Sequence, residues 1–214
     1  MPEHSRGDQP GRKPLLIGLT GSIGMGKTET ARMFADLGIP VYSADGAVHD
    51  LYDIGGAAVA AIQQAFPGTV REGRVDRERL AARVAGDEAA FQRLEAIVHP
   101  LVRHAERDFL SSAERRRDAL VVLDIPLLFE TGGDSRMDAV IVVSAPPAVQ
   151  RQRVLARPGM TIEKLEAIHA RQVPDVEKRA KADFVIETDK SLEHAREAVK
   201  GIIAELRERA ARET

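Results

Sequence analysis

The chain has 214 residues, 43% hydrophobic and 30% charged, with 31 Lys and Arg against 33 Asp and Glu for a net charge of −2. That balance belongs to a folded globular protein with room for one α/β domain and an insertion, or for two small domains, and it argues against wholesale binding to nucleic acid or membrane. The absence of cysteine excludes disulfides, thiolate catalysis and cysteine-ligated zinc, and fits a reducing compartment.

Residues 1–13 are polar, carry Pro2, Gly7, Pro10 and Gly11, and hold no apolar stretch of signal-peptide length, so they are expected to form a mobile tail. No apolar run reaches membrane-spanning length either, and the expected location is cytoplasmic. Five runs rich in Val, Ile and Leu lack polar alternation: Leu15–Thr20, 39–43, 119–125, 138–144 and 183–186. Such runs predict strands of a parallel sheet covered on both faces by helices. The helix after the first strand is expected to end near Leu37, where Gly38 supplies a left-handed cap. A last helix from about Ser191 presents Leu192, Ala195, Val199, Ile202 and Leu206 on one face.

Residues 57–117 show no convincing strand. Their amphipathic pieces, at 80–84 and 91–98, are interrupted by Pro67, Gly68, Gly73, Gly86 and Pro100, which predicts a helical insertion. Residues 157–179 are polar and basic, with Thr161 placed to cap a short helix, and are expected to form a lid. The expected organisation is therefore α/β: a core over 14–56 and 118–206, the insertion at 57–117, the lid within the core, and a C-terminal tail over 207–214.

The decisive motif is Gly21-Ser22-Ile23-Gly24-Met25-Gly26-Lys27-Thr28, which satisfies G-x-x-x-x-G-K-[ST] between an apolar strand and a helix. Wrapping a triphosphate requires inward-facing backbone amides, hence glycines at Gly21, Gly24 and Gly26. Lys27 reaches the β- and γ-phosphates in such loops, and the Thr28 hydroxyl ligates Mg²⁺. The helix that begins here adds its positive end.

Three further features favour phosphoryl transfer. Asp124 ends the strand 119–125, where P-loop folds deliver an acid to the Mg²⁺ shell; an Asp that merely ends a strand is the alternative. Asp45 follows the strand 39–43 and either meets an acceptor hydroxyl, caps the helix over 46–52, or does both. Arg153 and Arg157, with Arg151 and Arg171 nearby, either neutralise the transferring phosphoryl group or form a solvated face.

The run from Gly18 to Thr28 resembles the opening of the bacterial dephospho-CoA kinases. So do Tyr42-Ser43-Ala44-Asp45, Val75-Asp76-Arg77 with Leu80, Leu94-Glu95 with His99-Pro100, and Leu123-Asp124-Ile125-Pro126-Leu127-Leu128-Phe129-Glu130. Gln150, Arg153, Arg157, Gln172 and the run Ala182-Asp183-Phe184-Val185-Ile186 continue the family's order. The resemblance spans about residues 15–206. It implies a P-loop kinase that uses ATP and Mg²⁺ to phosphorylate the ribose 3′-hydroxyl of dephospho-CoA. It further implies Asp45 as the base, with Lys27, Arg153 and Arg157 as the other catalytic groups and the insertion as holder of the acceptor. Arg77 and His99 match family positions there; Arg77 alternatively pairs with Asp76 or Glu78, and His99 packs before Pro100.

Two departures stand out. Many relatives carry Ser-Thr after the loop lysine, whereas Thr28-Glu29 puts a carboxylate near the α-phosphate unless it points away. The family commonly has Asn near the base, where this chain has Glu187 and Thr188. Another small-metabolite kinase is the closest competing reading. A GTPase-type switch reads guanine with N-K-x-D, and this chain has no Asn. No obligate protein partner is expected.

Overall fold

A strand of branched aliphatic residues on both faces has nothing to offer water, so each must be covered twice. The computed structural model describes residues 13–212. In chain order its strands are β1 (Leu15–Thr20), β2 (Val41–Ser43), two very short strands β3 (Val70–Arg71) and β4 (Arg74–Val75), then β5 (Leu120–Asp124), β6 (Ala139–Ser144) and β7 (Phe184–Glu187). Five of them form one parallel sheet in the order β2-β5-β1-β6-β7, while β3 and β4 pair antiparallel elsewhere. The helices are α1 (Lys27–Asp36), α2 (Ala44–Tyr52), α3 (Val59–Ala65), α4 (Arg77–Val84), α5 (Glu88–Arg116), α6 (Pro147–Leu155), α7 (Ile162–His169), α8 (Asp175–Lys181) and α9 (Leu192–Arg212).

The period of two along each strand divides the core between the faces. Ile141 and Val143 of β6 join Ile17, Leu19, Val122 and Ile186 under Phe34 of α1 and Val199 of α9. Val140 and Val142 point the other way, onto Leu128 and the half-buried Phe129, Met137 and Ala182. A third cluster gathers Ala58, Ile62, Phe66, Val75, Leu80, Ala90 and Val98, and draws in Val48, Leu51 and Tyr52 from α2. The helical part of the chain therefore has a core of its own, and α2 bridges it to the sheet.

Most elements lie where the pattern predicts. Gly38 has φ 78°, the left-handed turn expected after α1, and the Thr161 hydroxyl accepts the Lys164 amide at the start of α7. Several expectations fail. The interval 57–117 does contain strands, the two-residue β3 and β4, whose alternation is too short to read. Pro100 does not interrupt a helix: α5 runs through it for 29 residues. A proline removes one i→i−4 bond and costs about 3 kcal/mol in an isolated helix interior, and here packing outweighs it. Val98 and Ala113 of α5 are buried, and the Tyr42 hydroxyl donates to the Val102 carbonyl at 3.0 Å. Burial and the Glu106 carboxylate, opposed by Arg136, push that phenol up to about 12, so it remains a donor. The tail expected from residue 207 is still helix to Arg212, with Ala210 buried. Leu192, expected on the buried face of α9, is 68% exposed. Of the tail expected over residues 1–13, all but Lys13 lies outside the described residues.

Phe66 is almost fully buried in the third cluster. Phe66→Ala is expected to cost about 3–5 kcal/mol and to lower the thermal midpoint by roughly 10 °C, measured by calorimetry.

Candidate active site

Parallel pairing brings the C-terminal ends of β1, β2 and β5 level. Asp124 stands opposite Leu19 on one side and Ser43 on the other. The phosphate loop leaves β1 directly after Leu19 and Thr20, and Asp45 lies two residues beyond Ser43, so all three converge at one edge of the sheet.

The loop follows a path only glycine allows. A Cβ at Gly21 would sit 2.6 Å from the Val143 carbonyl oxygen, and Gly26, at φ 91°, is the left-handed residue from which α1 starts. Three side chains far away in sequence grip it. Gln150 Nε2 donates to the Ile23 carbonyl at 2.8 Å, the Ile23 amide donates to Gln172 Oε1 at 3.3 Å, and the Thr188 hydroxyl donates to the Met25 carbonyl at 2.8 Å. Met25 itself faces inward, buried, with its amide donating to the Ser22 carbonyl. It shapes the loop from beneath.

Lys27 and Asp124 form an ion pair, Nζ to Oδ1, at 2.5 Å. Asp124 is only 6% exposed. Burial holds its carboxyl above the ordinary 3.8; the Lys27 ammonium and its hydrogen bond oppose this, and the charge of Asp45 adds to it. Asp45 is thus close enough for two carboxylates to feel each other across the edge of the sheet.

Two cavities meet there. The larger, about 600 Å³, is bordered by the loop from Gly21 through Glu29, with Arg153, Arg157, Gln172 and Thr188 opposite; Met33, Ile168, Leu192 and Ala195 make an apolar end. The second, about 370 Å³, is a groove between α2, α5 and the turn after β5, lined by Tyr52, Phe91, Val98, His99 and Leu127. Asp45 and Pro126 line both.

The residues singled out in the sequence divide as follows. Gly21, Gly24, Gly26, Lys27, Thr28, Asp45, Arg153 and Arg157 border the larger cavity. Asp45 is not the cap of α2: the Ser43 hydroxyl takes that role, accepting the Gly46 amide at 3.1 Å. Glu29 borders the larger cavity, and its carboxylate is engaged by Arg32 at 2.6 Å. Arg153 spends its fork on Thr188, at 2.9 Å to the hydroxyl and 2.6 Å to the carbonyl. Arg157 has no acidic partner among the described residues and faces the cavity, whereas Arg151 and Arg171 do not line it. His99 lines the groove, 3.7 Å from Glu95. Arg77 pairs with neither Asp76 nor Glu78. It lies 3.0 Å from His49 Nδ1 and over the ring of Tyr52, while Asp76 caps α4.

The roles of Gln150, Gln172, Thr188 and His49 have no local sequence signature, since their partners are 28 to 163 residues away. Thr28 borders the larger cavity, whereas Asp124 lines neither cavity and meets Lys27. These are the oxygen donors expected to hold a cation, and no group of three or more His, Asp or Glu that could hold a metal ion by itself occurs among the described residues. Such a sparse set suits Mg²⁺, which keeps several waters and takes substrate phosphate oxygens rather than a protein cage.

The dephospho-CoA kinase family model matches residues 15–194. The chain is 60% identical to a dephospho-CoA kinase from Mesorhizobium japonicum, over 90% of this chain and 97% of that protein. The chain belongs to the dephospho-CoA kinase family. A second relative of that name, from Rhodopseudomonas palustris, is 56% identical over 88% of this chain and 94% of its own length. The crystal structure of TT1252 from Thermus thermophilus superposes with a TM-score of 0.77 at 38% identity, covering 91% of this chain and 99% of that one. By family the chain is a kinase, and its five-stranded parallel sheet flanked by helices is the P-loop kinase architecture.

In this dephospho-CoA kinase family member the buried Asp124 carries a cost with a definite sign. A carboxyl whose folded value is raised is penalised wherever it is charged, above that value, and not below the unfolded 3.8. Asp124→Asn is therefore expected to raise the thermal midpoint at pH 7 while lowering turnover, and the stability gap should close as the pH falls toward 3.8. Thermal melts of both proteins across pH 3–8 measure it.

Proposed function

We propose that the chain transfers the γ-phosphoryl group of ATP to the ribose 3′-hydroxyl of dephospho-CoA, giving CoA and ADP, in the cytoplasm. The observation that carries this reading is Asp45, among the described residues the one carboxylate lining both the phosphate-loop cavity and the groove. A kinase needs its donor phosphate and acceptor hydroxyl to meet in line with water excluded, and a shared wall between two cavities provides such a place.

The donor triphosphate lies along the loop, its charge balanced by Lys27, the loop amides and the start of α1. The base occupies the apolar end beside Met33, Leu192 and Ala195, since Glu187 is paired with Lys190 and Thr188 is committed to Met25 and Arg153. Thr28 and Asp124 would hold a Mg²⁺ ion brought with the nucleotide, and its charge would offset that of the phosphates. The acceptor lies in the groove, with His99 on its polar side and Phe91 and Leu127 on its apolar rim. Arg77 lines no part of the groove and reaches it only by stacking on Tyr52, which does. Asp45 accepts the proton of the 3′-hydroxyl as that oxygen bonds to the γ-phosphorus. The bond from that phosphorus to the bridging oxygen breaks, and ADP leaves with the electron pair. Arg157, free of an internal carboxylate, stabilises the three equatorial oxygens.

Two measurements test this. ADP release should rise strongly with dephospho-CoA and stay near background with nucleoside monophosphates, gluconate or shikimate, with the new phosphate on the 3′ oxygen; faster turnover of another acceptor refutes the substrate. Arg157→Lys should lower kcat more than it weakens ATP binding, because a point charge does not reproduce the planar fork. A silent Arg157→Lys would assign the charge role elsewhere.

A further inference from the structure

The peptide of Ile23, in the middle of the phosphate loop, is held from both sides, by Gln150 on its carbonyl and by Gln172 on its amide. Gln150 stands on α6 and is buried. Gln172 stands on the connection between α7 and α8, which no regular structure fixes. The neighbouring residue provides the anchor: the Val173 amide donates to Glu130 Oε1 at 2.9 Å. The same oxygen lies 2.8 Å from Lys178 Nζ on α8, and that lysine is fully buried. The ammonium is at ion-pair distance but not aligned as a hydrogen bond, and Glu130 Oε2 is buried without a partner among the described residues.

Such a pair is poor evidence for stability. Two desolvated charges roughly cancel their own attraction, and two apolar side chains of similar volume usually serve a fold as well or better. An apolar side chain at position 130, however, cannot accept the Val173 amide. Glu130 also closes the turn that begins at Asp124 and contains Pro126, which borders both cavities, and Leu127, on the rim of the groove. The turn is tied back to β1 by the Thr20 hydroxyl on the Pro126 carbonyl at 3.2 Å.

We propose that Glu130 is a positioning residue for the donor site: through Val173 it sets Gln172, and through Gln172 the phosphate loop, relative to the turn that carries the acceptor side. Lys178 keeps the carboxylate charged and aimed. Burial disfavours that charge, but the lysine, the Val173 amide and Glu130's own backbone outweigh it and hold the carboxyl below its ordinary 4.5.

Two double variants, both without the buried charges, separate positioning from packing. In Glu130→Leu with Lys178→Met the Val173 amide loses its acceptor, and the KM for ATP should rise roughly tenfold, the scale of one hydrogen bond to a charged group, with the KM for dephospho-CoA unchanged. In Glu130→Gln with Lys178→Met the amide oxygen restores the acceptor, and most of the ATP KM should be recovered. Gln172→Ala, a partly exposed truncation that leaves the buried pair intact, should raise the ATP KM similarly with little change in thermal midpoint. Equal ATP KM in the two double variants overturns the proposal, as does a wild-type ATP KM in Gln172→Ala, which decides alone if the Leu–Met variant fails to fold. The inference rests on reading the larger cavity as the donor site, so Lys27→Ala is run beside it. If Lys27→Ala turns over normally, that reading fails. If Lys27→Ala is crippled while Gln172→Ala is not, only the role of Glu130 and Gln172 fails.

Discussion

The insertion of β5 between β1 and β2 is the constraint on which the site depends. Because β5 pairs parallel with both, Asp124 is fixed opposite Leu19 and Ser43 at once. The phosphate loop must leave β1 at that level, and α2 must start from β2 at the same level. A slip of one residue in either pairing would turn Asp124 to the other face of the sheet, away from Lys27. The buried aliphatic residues on both faces of β5 and β6 hold that register, so the core acts on chemistry through strand alignment rather than through contact.

Around this fixed edge the protein places charges that the fold alone would not favour. Asp124 is desolvated and repelled by Asp45, and Lys27 only partly compensates. The loop path depends on glycine at positions that exclude a Cβ, and on side chains from α6, from the α7–α8 connection and from the residue after β7 that close over it. Local destabilisation of this kind is expected where a kinase site must receive a triphosphate that brings its own charge. The second, separate core under α3, α4 and α5 lets the groove be built from helices without disturbing the sheet.

Much of this is legible in the sequence. The G-x-x-x-x-G-K-[ST] run, the apolar strands and the position of Asp45 beyond β2 carry physical signatures short enough to read locally. What escaped notice depended on distant pairing or on packing overriding local preference. Pro100 reads as a helix end, yet the packing of Val98 and the bond from Tyr42 carry α5 through it. Asp45 reads equally as an acceptor contact and as a cap because Asp caps well. But α2 starts earlier than its pattern suggests and Ser43, two residues before Asp45, caps it, which leaves the carboxylate to line the cavities. Arg153 borders the cavity as expected, but nothing in sequence reveals that Thr188, 35 residues away, accepts from both of its terminal nitrogens. The hold of Gln172 on Ile23 has no local trace at all.

Asp45, on the wall between the two cavities, is proposed to act on the acceptor hydroxyl. Asp45→Asn tests it most directly, with kcat, ATP Kd and thermal midpoint measured on one preparation. Because Ser43 caps α2, the midpoint should not move, and because the phosphate loop is untouched, ATP should bind as before. Loss of a general base lowers rates by roughly 10²–10⁴, and the loose transition state of phosphoryl transfer favours the lower end. A kcat reduced by about two orders of magnitude, with Kd and midpoint unchanged, is the predicted result. An Asp45→Asn enzyme that turns over at the full rate would contradict it and leave the alignment of the acceptor to another residue.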